Sequence, residues 1–154
     1  MKKFTLIVSY IFICTLTFAQ SVDDYIEVAR EVLKTEKKAA IAEAMNLTET
    51  DSGPFWELYN EFNFELGKVQ NMRIEAIKDF AGNYENLTDE KADEIWLKVL
   101  SYQQQLLKLK KTYYKKFKKI ISAGQAAKYF QIENKIEALI NANLAAEIPL
   151  IETK

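Results

Sequence analysis

The chain has 154 residues, of which 49% are apolar and 28% charged, with a net charge of −1; this is the balance of a folded domain rather than a disordered one. It contains no histidine and a single cysteine, Cys14, which excludes Ser-His-Asp and Cys-His catalysis and the usual zinc and di-iron sites that need imidazole. No enzymatic activity, cofactor or metal is therefore expected.

The N-terminus reads as a transport signal. Lys2 and Lys3 form a basic n-region, and Phe4 to Leu16 is a mostly apolar run too short to span a bilayer. Thr17-Phe18-Ala19 supplies small residues at the −3 and −1 positions, predicting cleavage after Ala19 and export to the periplasm. Cys14 follows Ile13, where a lipoprotein signal has a small residue. The remaining chain has no cysteine, so its fold rests on packing. The expected organisation is a signal peptide at 1–19, one helical domain at 20–148 and a tail at 149–154.

Four helices follow from apolar periodicity. Ser21 caps the first, whose stripe is Val22, Tyr25, Ala29, Val32, Ala40 and Ala44, ending near Met45. The second is expected from about Pro54 to Ala81, with Phe55, Tyr59, Phe62, Leu66, Val69, Ile77 and Phe80 on one stripe. Pro54 favours a first turn, placing the start at Ser52 or Gly53, against a competing start at Thr48 with a kink at Pro54. Gly82 is the expected stop. The third helix runs from after Thr88 to about Ile120. Its stripe is Ala92, Ile95, Val99, Tyr102, Leu106, Tyr113, Phe117 and Ile120, with a second seam of Trp96, Leu100, Leu107 and Tyr114 beside it. The fourth follows Ser122, with Gln125 as capping-box partner and Tyr129, Ile132, Ile136, Leu139 and Ile140 as its stripe; Pro149 ends it.

A third helix of this length is about 50 Å long, more than the roughly 37 Å diameter of a compact domain of this size. The expected fold is all-α and elongated, a four-helix hook built on a long antiparallel hairpin. The uncovered second seam points to a second subunit or a ligand.

An internal repeat organises the helix starts. Asn46-Leu47-Thr48, followed after seven residues by Trp56, recurs forty residues on as Asn86-Leu87-Thr88 and Trp96. Leucine acts as a staple and threonine as a cap. Ile121-Ser122 with Gln125 is a weaker third copy. Both triplets also match the glycosylation sequon and are read here as caps.

In these residues the chain resembles the periplasmic Spy/CpxP-like family, whose signature is Leu-Thr-x-x-Gln before two helices. The match is carried by Leu47-Thr48-Glu49-Thr50-Asp51 and Leu87-Thr88-Asp89-Glu90-Lys91, and spans about residues 37–148. Both copies depart at the last position; Asp51 keeps an acceptor for the cap and Lys91 does not. The resemblance implies a hook-shaped all-α protein that dimerises into a curved cradle and acts as an ATP-independent chaperone, or as an inhibitor or sensor in envelope stress signalling. The family's metal-sensing branch relies on histidine, which this chain lacks.

Charge is divided along the chain. Residues 23–94 hold 18 acidic and 8 basic residues, a net of −10; residues 95–154 hold 4 acidic and 11 basic, a net of +7. Lys108, Lys110, Lys111, Lys115, Lys116, Lys118 and Lys119 interleave with Tyr113, Tyr114 and Phe117. Export argues against nucleic acid as a partner. Most of these lysines project opposite the apolar stripe, as on any solvated helix face. The functional reading is a surface for acidic, partly unfolded chains, with weak contact to anionic lipid heads. Phe64, Trp96, Lys108, Lys111, Tyr114, Lys115 and Lys118 are the candidate client-binding residues. Arg73 and Lys110 fall on apolar stripes and are expected to be paired structural charges, Arg73 with Glu133. Two functions compete: a dimeric chaperone-like binder of unfolded clients, and a regulatory partner of a sensor kinase or a sigma/anti-sigma system.

Overall fold

Three helix starts share one chemistry. Thr48, Thr88 and Ser122 each hold an extended backbone, with ψ of 160°, 160° and 155°. Each hydroxyl accepts a hydrogen bond at 3.2 Å from the backbone N–H three residues on, that of Asp51, Lys91 and Gln125 respectively. The carbonyl of each cap then accepts the first helical bond, from Ser52, Ala92 and Ala126. Only the third cap is reciprocal: the Gln125 side chain accepts from the Ser122 N–H at 3.0 Å, completing a capping box. At the staple positions Leu47 and Leu87 are half-buried and Ile121 is buried.

The structure is a computed structural model that describes residues 35–151. The expected signal peptide, Cys14 and the expected start of the first helix at Ser21 lie outside the described residues. The chain divides into two compact units, residues 1–44 and 45–154. In the first, the described residues are helical; this helix, α1, is described over 35–45, its last residue belonging to the second unit. Asn46 follows it with a φ of 44°, the left-handed conformation that asparagine tolerates better than most residues.

The second unit contains α2 (Glu49–Asn83), a short 3₁₀ turn (Tyr84–Asn86), α3 (Asp89–Phe117) and α4 (Ala123–Glu147). No strand occurs among the described residues, so the fold is all-α. α2 and α3 form a long antiparallel hairpin, about 52 Å and 43 Å long at 1.5 Å per residue, and α4 returns along α3.

Three expectations about the helices are corrected, and the open start of α2 falls on its Thr48 alternative. α2 starts at Glu49, with Pro54 inside it; the Thr48 cap outweighs the preference of proline for a first turn. The ring of Pro54 is exposed, and its missing N–H removes one helical bond near the helix start. Gly82 is not the stop, since no glycine has a positive φ. α2 continues to Asn83, whose side-chain amide donates to the Asp79 carbonyl at 2.7 Å as the chain passes into the 3₁₀ turn. α3 ends at Phe117 rather than Ile120, because residues 118–120 form a turn; α2 is thus the longest described helix. On α4 the buried residues are Ala126, Tyr129, Phe130 and Glu133, and Ile132, Ile136 and Ile140 of the expected stripe are half-buried; only Leu139, 69% exposed, falls off it.

The core is densest where α2 begins, α3 ends and α4 begins. Phe55, Phe62, Phe117 and Tyr129 are completely buried there. Ring centroids lie 4.7 Å apart for Phe117 and Tyr129, and 5.3 Å for Phe55 with each of them. Phe130 joins Phe62 at 5.6 Å and Phe117 at 5.9 Å. Each buried ring contributes about 1.5–3 kcal/mol by removal from water, and each edge or tilted ring pair about 0.5–1.5 kcal/mol more. Burial pushes the phenols of Tyr59 and Tyr129 well above the usual tyrosine range, and the nearby buried Glu133 adds to this.

Replacing Thr48 or Thr88 by alanine is expected to lower stability by about 1 kcal/mol each, with serine restoring most of the loss. Urea denaturation followed by circular dichroism measures this; an unchanged midpoint for Thr88→Ala contradicts the capping role.

Candidate binding surface and cleft

Three regions of the hairpin carry chemistry. At its turn end, Asp79 of α2 receives two lysines of α3: Lys91 at 2.9 Å and Lys98 at 2.6 Å. Both lysines also pair with Glu94, at 3.0 Å and 2.6 Å. Helical spacing brings Lys91, Glu94 and Lys98 onto one face, and the antiparallel register brings Asp79 to them. Hydrogen bonds from Lys98 and Lys91 hold the Asp79 and Glu94 carboxyls below their usual range. The same bonds push both ammonium groups up.

At the aromatic end, Glu61 of α2 accepts from the Tyr113 hydroxyl at 2.9 Å and from Lys116 at 2.7 Å. The Lys116 ammonium also lies 4.4 Å from the Tyr113 ring centre. Burial, followed by this bond to Glu61, pushes the Tyr113 phenol up to about 12.

Between the two ends lies a cleft of about 390 Å³, lined by residues of α2, α3 and α4. Its walls are aliphatic: Ile77, Val99, Leu106, Leu107 and Ile148. Its polar groups are Arg73, Lys110, Glu137 and Asn141, with Tyr102 and Gln103. Lys110 bonds to Glu137 and, at 2.8 Å, to Asn134, so it is the paired charge that its place on the stripe suggests. Arg73 is not paired with Glu133. Its guanidinium donates to the Asn141 amide oxygen and lies 5.8 Å from the Tyr102 ring. Asn141 is eight residues beyond Glu133, about 12 Å along the helix.

The outer face of α3 carries most of the expected client-binding residues. Trp96 is 58% exposed, and Leu97, Leu100 and Leu107 are exposed beside it. Further along, Lys108, Lys111, Lys115 and Lys118 are exposed. They step by three, four and three residues, which lines them up on one side. None has a carboxylate partner among the described residues, although the Lys118 ammonium lies 5.0 Å from the Tyr114 ring centre. The face is thus apolar in its first half and basic in its second.

Two expected members stand elsewhere. Tyr114 is half-buried, packed edge-on with Phe130 of α4 at 5.8 Å between ring centres. Phe64 is 67% exposed on α2, at nearly half a turn of rotation from the buried Phe62. Since Phe62 packs on Tyr113 while Asp79 bonds Lys98, Phe64 lies roughly 20 Å along the hairpin from Trp96. The two tryptophans of the repeat also differ: Trp56 is half-buried against Phe55 and Tyr59, whereas Trp96 is open.

Among the described residues no group of three or more acidic or cysteine side chains is arranged to hold a metal, and no helix is long and apolar enough to cross a membrane. No protein-family model, no curated protein and no solved structure matches the chain.

The depressed Asp79 and Glu94 carboxyls contribute stability that is present above the unfolded carboxylate range, near pH 4, and lost as pH falls through the lower folded values. Asp79→Asn is therefore expected to lower the urea midpoint at pH 7 and to converge with the parent by about pH 2. An equal difference at both pH values sinks this account.

Proposed function

We propose that the chain is an exported, Spy/CpxP-like binding protein of the periplasm that holds partly unfolded protein segments without ATP. The observation that carries this reading is the graded outer face of α3. Trp96, Leu97, Leu100 and Leu107 offer exposed apolar area, and Lys108, Lys111, Lys115 and Lys118 follow with no carboxylate partner among the described residues. From Leu97 to Lys118 the face extends about 32 Å, long enough for an extended segment of some ten residues. Lysines attract acidic segments from a distance and impose little geometry, while the apolar half holds what arrives. The Thr48 and Thr88 caps, which stand where the family signature places them, support the family reading. The N-terminal segment supports export.

The working form is a homodimer. The division of charge, −10 over residues 23–94 and +7 over residues 95–154, favours two copies in opposite directions, acidic half against basic half. Analytical ultracentrifugation is expected to give twice the mass of the processed chain; a monomer at micromolar concentration removes the dimer from this reading.

The purified protein is expected to suppress light scattering by an aggregating client at near-stoichiometric ratio with no nucleotide added. Replacing Lys108, Lys111, Lys115 and Lys118 together by glutamine is expected to weaken suppression of an acidic client at least about tenfold, and Trp96→Ala to weaken it for all clients. Scattering unchanged by the parent protein at every ratio sinks the proposal.

A further inference from the structure

Arg73 occupies a position that its surroundings do not explain. It stands on the buried stripe of α2, between Val69 on one side and Ala76 and Phe80 on the other. A guanidinium on such a stripe carries a desolvation cost that an anion normally offsets. Lys110, across the cleft on α3, has that partner in Glu137. Arg73 has a neutral amide oxygen and a tyrosine, and no carboxylate among the described residues. The charges lining the cleft are Arg73, Lys110 and Glu137, two positive and one negative, so one further negative charge brings the cleft to neutrality.

The remaining lining defines what should carry that charge. Ile77, Val99, Leu106, Leu107 and Ile148 give the cleft an aliphatic wall, beside Tyr102, Gln103 and Asn141. The volume, about 390 Å³, lies in the range of small-molecule sites. At about 30 Å³ per water-sized group it holds about 13 non-hydrogen atoms. Arg73 keeps donors beyond those used by Asn141 and Tyr102, and a guanidinium presents such donors in a planar fork that matches a carboxylate.

We propose that the cleft is a binding site for a medium-chain aliphatic carboxylate, its head on the Arg73 guanidinium and its chain along Val99, Leu106, Leu107 and Ile148. This site goes beyond the client surface on α3 and shares only Leu107 with it.

Isothermal titration of the full processed chain with decanoate, a carboxylate of about this size, kept below its micelle concentration, tests the proposal. One site per chain is expected, with decanol and decyltrimethylammonium binding at least about tenfold more weakly. Arg73→Met is expected to abolish the preference for decanoate over decanol. That variant replaces a partly buried charge by an apolar chain of similar length, a change that folds tolerate. Ile148→Glu, near the end of the described chain, is expected to weaken decanoate at least about tenfold while the helical signal stays unchanged. The site is also expected to survive in the fourfold lysine-to-glutamine variant, which separates it from the client surface. Equal affinity for decanoate and decanol, absence of submicellar binding, or decanoate affinity unchanged by Arg73→Met overturns the proposal.

Discussion

The second unit is organised by one knot of aromatic rings. Phe55 and Phe62 from α2, Phe117 from α3, and Tyr129 and Phe130 from α4 meet within ring-contact distance. This is the place where all three helices bury large apolar residues against one another. Beyond it no large ring of α4 is buried; the half-buried Ile132, Ile136, Ile140, Leu144 and Ile148 are accompanied by polar links: Lys110 to Glu137 and Asn134, Arg73 to Asn141, and a long contact from the Tyr84 hydroxyl to the Leu150 carbonyl. Rings pull helices together across their whole width, whereas a lysine or arginine holds them at the length of its side chain. The cleft is the space this difference leaves. The exposed flank of α3 has a related origin, since α4 takes its shelter to Tyr114 and leaves Trp96 and Leu100 uncovered.

Along the hairpin the nature of the contact changes from rings through an aliphatic cleft to charges. Near the turn the buried residues shrink to Ala76, Phe80 and Ile95, and the Asp79 cluster connects the helices instead. Its groups are partly exposed, so its contribution is modest per pair, and its arrangement as a network of four is what gives it geometric definition. The two ends also differ in what the outer face of α3 exposes. The basic residues of α3 stand beside the aromatic knot, on the stretch of helix held most firmly. The apolar residues Trp96, Leu97 and Leu100 stand near the turn, on the stretch held by charge.

The helices were legible because their determinants are local. The Leu-Thr caps, the Ser122–Gln125 box and the stripe of Phe55, Tyr59, Phe62, Leu66 and Val69 depend on residues within a turn or two. The start of α2 stays open in the sequence because two local rules compete: Thr48 offers a cap and Pro54 a first turn, and only the hydrogen bond that the Asp51 N–H donates to the Thr48 hydroxyl decides between them. Gly82 misled because a glycine is permitted, not obliged, to take the left-handed conformation. What stayed hidden is the pairing across elements. Asp79 has no sequence signal for Lys91 and Lys98 until the antiparallel register is known. Asn141, Glu137 and Ile148 enter the cleft only through the course of α4 along the hairpin. The sequence showed that Arg73 breaks its stripe, but it did not show that the break stays uncompensated, which is the observation of consequence.

The two ends of the hairpin also respond to solvent in opposite senses. Dissolved ions screen the partly exposed Asp79 cluster within a Debye length of about 8 Å at physiological ionic strength, while salting-out anions strengthen the burial of the rings. Changing the ionic medium therefore does not shift the stability of the unit uniformly; it moves the boundary between a firm segment and a yielding one along the helix axis. A rise in ionic strength would thus loosen the stretch around Trp96 while leaving the lysine-bearing stretch in place.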